Sequence, residues 1–241
     1  LRNPVHVVYG GADRFTAETS AKFGKLALKS LETYAPNFVE FANAMWLKGC
    51  ETLPVYDDVI ADLEFNLTDN SEKVKIENSD AWFAWTIYNR TIDKLKNEPI
   101  EDFRIDFEDG YGIRSDEEED NHALLASDEL ARAASHPSSL AFCGIRIKSF
   151  QPETYNRSIR TLQLFLDNLL EETGSILPDN FVVTLPKITK VEEVELLCKL
   201  LDEFESEGNQ DGLKENSIKI EIMIETPFAV RFGDELVKAA G

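Results

Sequence analysis

One short stretch of the sequence sets the fold, and it reads Phe103-Arg104-Ile105-Asp106-Phe107-Glu108. Apolar and charged side chains alternate along it, which is the pattern of a β-strand with two different faces. An acidic run over residues 116–120 follows, and we predict a solvated loop there because most charge runs are solvated. The chain then continues with apolar residues at helical spacing. The stretch therefore predicts a βα unit, the building block of a parallel sheet.

The same order of a β-rich run and a helical pattern recurs along the chain. Four further strands are predicted over residues 5–9, 142–147, 181–186 and 218–225. A helix is predicted over residues 16–34, and a capping box of Thr189 and Glu192 marks the start of the helix after the fourth strand. Residues 36–100 are too long for one connection, so they predict an insertion or small subdomain within a single domain of residues 1–241. The predicted fold class is α/β, with the strands in a parallel sheet or barrel.

The composition limits the classes of function. The chain has 241 residues, 43% of them hydrophobic, and its 25 Lys and Arg against 45 Asp and Glu give a formal charge of −20. This charge repels nucleic-acid phosphates and anionic lipids, so we expect neither nucleic acid nor a membrane as a partner. No apolar run approaches the roughly 18 residues of a membrane-spanning helix. The three cysteines form no Cys-x-x-Cys motif, which favours a reducing, cytoplasmic location.

Charged residues stand at the ends of four predicted strands. They are Asp106, Glu108 and Asp109 after the second strand, Arg146 and Lys148 after the third, Lys187 after the fourth and Glu225 after the fifth. The carboxyl ends of parallel strands meet at one edge, where the active sites of α/β proteins lie. Carboxylates there suit a hard divalent cation, and an arginine suits a carboxylate or enolate oxygen. Two interpretations stay open: a metal-bridged site for an anionic substrate, or structural ion pairs at a barrel rim.

The order of these strand ends carries a resemblance to a known family. The four motifs are Asp106-Phe107-Glu108-Asp109-Gly110, Gly144-Ile145-Arg146-Ile147-Lys148, Leu185-Pro186-Lys187 and Ile224-Glu225-Thr226-Pro227. Over residues 100–235 the chain resembles the HpcH/HpaI aldolase and citrate lyase beta-subunit-like superfamily, which includes malyl-CoA lyases. Each motif is short, but four of them in this order, each closing a predicted strand, make the resemblance specific.

The resemblance implies a (β/α)8 TIM barrel that uses Mg²⁺, or Mn²⁺ in its place, to stabilise an enolate while a carbon–carbon bond is cleaved or formed. By position, Glu225 matches the metal ligand and Arg146 the arginine that contacts a substrate oxygen. Glu108 and Asp109 match the acidic pair near the metal, and Lys187 matches a lysine of the catalytic set whose role stays open. The implied substrate is a small oxo or hydroxy acid, free or as its CoA thioester, and the implied assembly is a homo-oligomer.

Other functions fit the same motifs. One is an enzyme that binds phosphoenolpyruvate or pyruvate and performs different bond chemistry, and another is a non-catalytic binding or regulatory member of the fold. A general base is hard to name among His6, His122 and His136. His122 is the best placed of the three, because it follows the acidic run on the side of the predicted site.

The predicted barrel is incomplete within these residues. Five predicted strands occupy the whole chain, whereas a complete barrel has eight. The second metal carboxylate that the resemblance implies is expected beyond Gly241. We therefore expect a TIM barrel truncated after about five βα units, as a segment of a longer protein, with an open sheet as the alternative.

Overall fold

The chain forms two compact units, each with its own hydrophobic core. The structure is a computed structural model, and it describes residues 2–135, 140–207, 213–214 and 216–241. Unit 1 contains residues 1–19 and 100–241, and unit 2 contains residues 20–99. All the strand-end motifs lie in unit 1.

The strands of the described chain all belong to unit 1 and form one sheet. They are β1 (Val7–Gly11), β2 (Asp102–Asp106), β3 (Phe142–Arg146), β4 (Phe181–Leu185) and β5 (Lys219–Ile222). Every neighbouring pair is parallel, and the order across the sheet is the order along the chain. Gly11 pairs with Asp106, Asp106 with Arg146, and Arg146 with Thr184. The carboxyl ends of β1 to β4 are therefore aligned at one edge.

Helices alternate with these strands, which confirms the predicted α/β class. In chain order the helices are α1 (Thr19–Tyr34), α2 (Phe38–Ala44), α3 (Asp57–Asp69), α4 (Ser71–Glu77), α5 (Ser79–Asn97), α6 (Asp116–Ala134), α7 (Tyr155–Thr173), α8 (Val191–Glu207), α9 (Pro227–Arg231) and α10 (Gly233–Ala239). Helix α6 follows β2, α7 follows β3, α8 follows β4, and α9 and α10 follow β5. Each of the predicted strands is present, with boundaries that differ by up to three residues.

One face of the sheet is apolar and the other is polar. Ile105, Ile145 and Val183 are buried together with leucines of α6, α7 and α8 in the core of unit 1. Alternation along the strands places Arg104, Asp106, Arg146 and Thr184 on the opposite face. Polar groups buried there need partners, and Arg104 Nε donates to Thr184 Oγ1 at 3.0 Å and to Glu221 Oε2 at 2.8 Å. Asp106 and Arg146 of this polar face are the last residues of β2 and β3, so the face ends at the strand-end charges.

The acidic run at residues 116–120 is the first turn of α6, so the prediction of a loop was wrong. Ser115 caps this helix: its Oγ accepts from the Glu118 N–H at 3.3 Å, and Glu118 Oε2 accepts from the Ser115 N–H at 3.2 Å. Acidic side chains are favourable in a first helical turn because the N-terminal end of the helix dipole is positive. Glu119 of this turn is buried and lies 2.8 Å from Lys148 Nζ.

Two local predictions need smaller corrections. The strand β5 ends at Ile222, so Glu225 lies in the segment that follows the strand and not on the strand itself. At the start of α8, Thr189 bonds to Glu193 and not to Glu192: its N–H and its Oγ1 each lie 2.9 Å from a Glu193 carboxylate oxygen. Because α8 begins at Val191, Glu193 is the residue whose side chain reaches back to Thr189.

Unit 2 is built from helices. Its core contains Phe38, Leu67 and Ala81, and Leu31 of α1 packs against the same core. Helix α1 therefore groups with the segment predicted as an insertion over residues 36–100. Asparagine is the N-cap of three helices of this unit, α2, α4 and α5, where each Oδ1 accepts a backbone N–H. Among the described helices of both units, we find none that is long and apolar enough to cross a membrane.

Candidate functional site

Asp106 organises the carboxyl end of β2. It is 0% exposed, and its carboxylate accepts from Arg146 Nε at 2.7 Å and Arg146 Nη2 at 2.5 Å. The backbone N–H groups of Glu108 and Gly110 donate to the same carboxylate at 2.9 and 2.7 Å. A Cβ on Gly110 would lie 2.5 Å from Asp106 Oδ2, so this tight turn needs glycine. The buried charge is thus compensated by a guanidinium and two amides, as a buried carboxylate requires.

The turn held by Asp106 presents Glu108 and Asp109 to Lys187. Lys187 Nζ donates to Glu108 Oε1 and to Asp109 Oδ1, the latter at 2.8 Å. Lys187 adopts a left-handed backbone conformation, with φ of 51°, which is uncommon for a residue with a side chain. Such conformations cluster at functional sites, although Trp46, Ser175, Asn180 and Asn216 of this chain also have a positive φ.

Glu225 reaches the same lysine from the segment after β5. Thr226 is the N-cap of α9, its Oγ1 accepts from the Ala229 N–H at 3.0 Å, and Pro227 occupies the first helical turn. The start of α9 therefore fixes the position of Glu225, whose Oε1 accepts from the Lys187 N–H at 2.7 Å. Three of the four sequence motifs meet at Lys187.

The electrostatics of this cluster follow from its hydrogen bonds. The bond from Lys187 Nζ is the main reason why the pKa of Asp109 lies below its usual value. Burial lowers the pKa of Lys187, but its bonds to Asp109 and Glu108 and their negative charges outweigh burial and raise that pKa above the usual value. Both groups are therefore charged at neutral pH.

Arg146 lies beside this cluster on the polar face of the sheet. Two of its nitrogens bind Asp106, and the third, Nη1, lies 3.8 Å from Glu108 Oε2 and donates to Met223 Sδ at 3.7 Å. The Tyr9 ring covers the guanidinium, with its centroid 4.7 Å from Arg146 Cζ. Arg146 is only 7% exposed. Its Nη1 is the part of the guanidinium that is directed to the carboxylates of the edge.

A small pocket adjoins the cluster between the loops that follow β2 and β3. Its volume is about 220 Å³, and its lining includes Glu108, Asp109, Lys148, Ser149 and Thr154. Lys148 Nζ is held by the Phe107 carbonyl at 2.5 Å and by Glu119 at 2.8 Å. The pocket is large enough for a small organic acid, and charged and hydroxyl side chains are among the groups that line it.

The histidines do not join the cluster in the described part of the chain. His122 Nδ1 lies 2.8 Å from the hydroxyl of Tyr111, a buried residue of the β2–α6 loop. His6 Nε2 accepts from the Glu101 N–H at 3.4 Å, at the amino end of β2. His136 lies outside the described residues. The general-base role of His122 stays a prediction.

The donor set at this edge is of the kind that Mg²⁺ prefers. Glu108, Asp109 and Glu225 supply hard oxygen atoms, and together with Asp106 they outnumber the cations Arg146 and Lys187 by two charges. Among the described residues, no three or more His, Cys, Asp or Glu side chains are grouped in a way that could hold a metal ion. Oxygen donors in this arrangement would hold Mg²⁺ only in an open site, in which one or two carboxylates bind the ion and water or substrate oxygens complete the shell.

Comparison with known proteins places the chain in a family. Residues 1–237 match the family described as a domain of unknown function (DUF6986). The chain belongs to the DUF6986 family. Neither a curated protein nor a solved structure matches it. The description of the family states no reaction, so the function of this DUF6986 domain has to be argued from its geometry.

In this DUF6986 domain the structure brings together all five predicted site residues, which are Glu108, Asp109, Arg146, Lys187 and Glu225. Sequence reasoning missed Tyr9, which covers the Arg146 guanidinium. The alternation of β1 carries a signal for it, because Tyr9 and Gly11 share a face and Gly11 pairs with Asp106. Sequence reasoning also left open the role of Asp106. This carboxylate binds two of the three guanidinium nitrogens of Arg146, which are therefore not available to a ligand.

Proposed function

We propose that this chain carries the site of a divalent-metal-dependent carbon–carbon lyase or aldolase that acts on a small 2-oxo or hydroxy acid, free or as its CoA thioester. The observation that carries the proposal is the convergence of Glu108, Asp109 and Glu225 on Lys187, next to Arg146. Carboxylates that hold a metal and cations that hold an anionic substrate are the two groups that enolate chemistry requires. Both lie at one edge here.

The order of the strands supports a (β/α)8 barrel as the complete fold. In the described sheet, β1 to β5 follow one another without any reversal of direction along the sheet. An open doubly wound sheet changes direction at a switch point, whereas a barrel keeps chain order all the way round. The polar face with Arg104 and Thr184 corresponds in this proposal to the barrel interior.

The residues of the chain have separate tasks in the proposed reaction. Arg146 Nη1 donates to a substrate carboxylate or enolate oxygen, while the bidentate bond to Asp106 keeps the guanidinium in place. The Tyr9 ring covers the guanidinium and excludes water from one side of it. The pocket beside Lys148 holds the remainder of a small acid.

Glu225 and Glu108 are the residues that would hold Mg²⁺ or Mn²⁺. When bound, such an ion is a Lewis acid that stabilises the negative charge of an enolate. Asp109 lies within the same hydrogen-bonded cluster and would orient metal-bound water. The homo-oligomer and the cytoplasmic location are part of the same proposal. The location is supported by the three cysteines, all of which are free, as is usual in a reducing compartment.

One observation favours a second candidate function, a non-catalytic binding member of the fold. Lys187 already bonds to Glu108 and Asp109 and so neutralises part of the charge that a metal would need. A protein of this second kind would bind phosphoenolpyruvate or pyruvate through Arg146 and Lys187 without a metal. The two functions differ in whether binding of the acid depends on a divalent cation.

Thermal unfolding with Mg²⁺ and oxalate or pyruvate separates the two functions. A ligand at 100 times its Kd stabilises the folded state by about 2.7 kcal/mol, which corresponds to a shift of about 5 °C or more. For the lyase we expect this shift only when Mg²⁺ and the acid are both present, and we expect Glu225→Gln to abolish it. Glu235→Gln is the control, because Glu235 is an exposed acid of α10 outside the site.

Three outcomes decide the matter. A metal-dependent shift, followed by release of pyruvate from a 4-hydroxy-2-oxo acid under NMR, supports the lyase. A shift with the acid alone supports the binding member. If neither pyruvate nor oxalate shifts the transition of the complete protein with or without Mg²⁺, both functions are wrong.

A further inference from the structure

Lys187 is held in a conformation that its own local sequence does not favour. Its φ of 51° lies in the left-handed region, which is unfavourable for a residue with a Cβ. The conformation has two effects at once: the N–H reaches Glu225, and Nζ reaches Glu108 and Asp109. One strained residue thus holds all three carboxylates proposed to serve the metal.

The Lys187 ammonium is also able to leave this position. Its side chain is 42% exposed, whereas the side chain of Arg146 is 9% exposed and bonded through two nitrogens. A lysine carries its charge on a flexible stem and forms no rigid fork, so it exchanges partners more easily than arginine does. A second cation with a higher charge competes directly for Glu108 and Asp109.

We propose that Lys187 is an internal counter-cation, which holds Glu108 and Asp109 in the metal-free protein and releases them when a divalent cation binds. The released ammonium then binds the anionic substrate at the same edge. The inference rests on the proposed function and assigns Lys187 two successive partners, the carboxylates first and the substrate second. Metal binding and acid binding are therefore coupled through this lysine.

Calorimetric titration with Mn²⁺ tests the first step without any measurement of activity. Lys187→Gly removes the ammonium and tolerates the left-handed backbone, and it keeps the N–H that bonds to Glu225. Wild type has to separate the ammonium from Glu108 and Asp109 before the ion binds, whereas Lys187→Gly has no such contacts to break, so we expect this variant to bind Mn²⁺ roughly tenfold more tightly. Lys187→Met gives a second measurement in which the aliphatic stem is kept.

Two controls isolate the position of the charge. Lys187→Arg keeps a cation beside the carboxylates, so its affinity for Mn²⁺ is expected to stay close to that of the wild type. Lys190→Met changes the net charge by the same amount at an exposed position three residues away, and we expect no tighter binding there because solvent and salt screen that charge.

The second step is tested by adding oxalate to the Mn²⁺-loaded proteins. Wild type is expected to bind oxalate more tightly than Lys187→Gly does, although Lys187→Gly binds the metal more tightly. If wild type binds Mn²⁺ and the glycine and methionine variants bind it no more tightly, the inference is wrong while the proposed function stands. If no variant binds Mn²⁺, the proposed metal site and this inference both fail.

Discussion

Replacement of Arg146 by methionine is expected to destabilise unit 1 strongly, even though Arg146 is also a proposed substrate contact. Arg146 is 7% exposed, and its guanidinium neutralises Asp106, which is 0% exposed. Methionine retains most of the aliphatic volume of the side chain, so the change removes charge and hydrogen bonds more than packing. The carboxylate of Asp106 would then be buried without its cation.

The magnitude follows from the bonds that are lost. Asp106 loses its two bonds to Arg146, at 2.7 and 2.5 Å, and keeps the two from backbone N–H groups. Breaking a buried ion pair by removing one partner costs about 3 to 5 kcal/mol. Because two donors remain, we expect the lower end, about 3 kcal/mol. With a urea dependence of about 3 kcal/mol per molar, the midpoint falls by about 1 M.

Urea unfolding followed by far-UV circular dichroism measures this change. The control is Arg160→Met, because Arg160 also pairs with an aspartate, Asp120, but its side chain is 58% exposed, so we expect little change in the urea midpoint. All the tryptophans lie in unit 2, so their fluorescence monitors that unit separately. If Arg146→Met unfolds within about 0.5 M urea of the wild type, the Asp106–Arg146 pair does not stabilise the sheet as argued.

Two further predictions concern the sheet and the tyrosines. A Cβ on Gly144 would lie 1.9 Å from the carbonyl oxygen of Val182 on the neighbouring strand, so Gly144→Ala is expected to yield little folded protein in a soluble expression assay. Gly233→Ala, which meets no atom within 4 Å, is expected to fold normally, and equal yields would contradict the argument. Burial raises the pKa of Tyr9 and of Tyr111 to about 12 each. The unfolded chain therefore loses these protons first, and the free energy of unfolding falls as pH rises from 10 towards 12. Absorbance at about 295 nm that shows every tyrosine titrating near pH 10 would refute this.

Much of unit 1 could be predicted because its signals are local. The alternation of apolar and charged residues around Ile105 correctly predicted a strand. The positions of Asp106, Arg146, Lys187 and Glu225 at strand ends predicted that they meet at one edge of the sheet, and they are in contact there. The error at residues 116–120 has a local cause as well. An acidic run reads as a solvated loop, but Ser115 and Glu118 form a capping box that turns it into the start of α6.

The α/β class, the five strands and the charged residues at their ends could be predicted without a structure, because periodicity and strand-end chemistry are properties of short segments. The pairing of those charges could not, because it depends on how distant segments meet in the folded chain. In the folded chain, Arg146 binds Asp106, and the Tyr9 ring covers the Arg146 guanidinium. Glu225 binds the backbone N–H of Lys187, which lies 38 residues earlier in the sequence. Those choices depend on the register of parallel strands and on the left-handed backbone of Lys187. Such long-range geometry has no signal within any single segment of the chain.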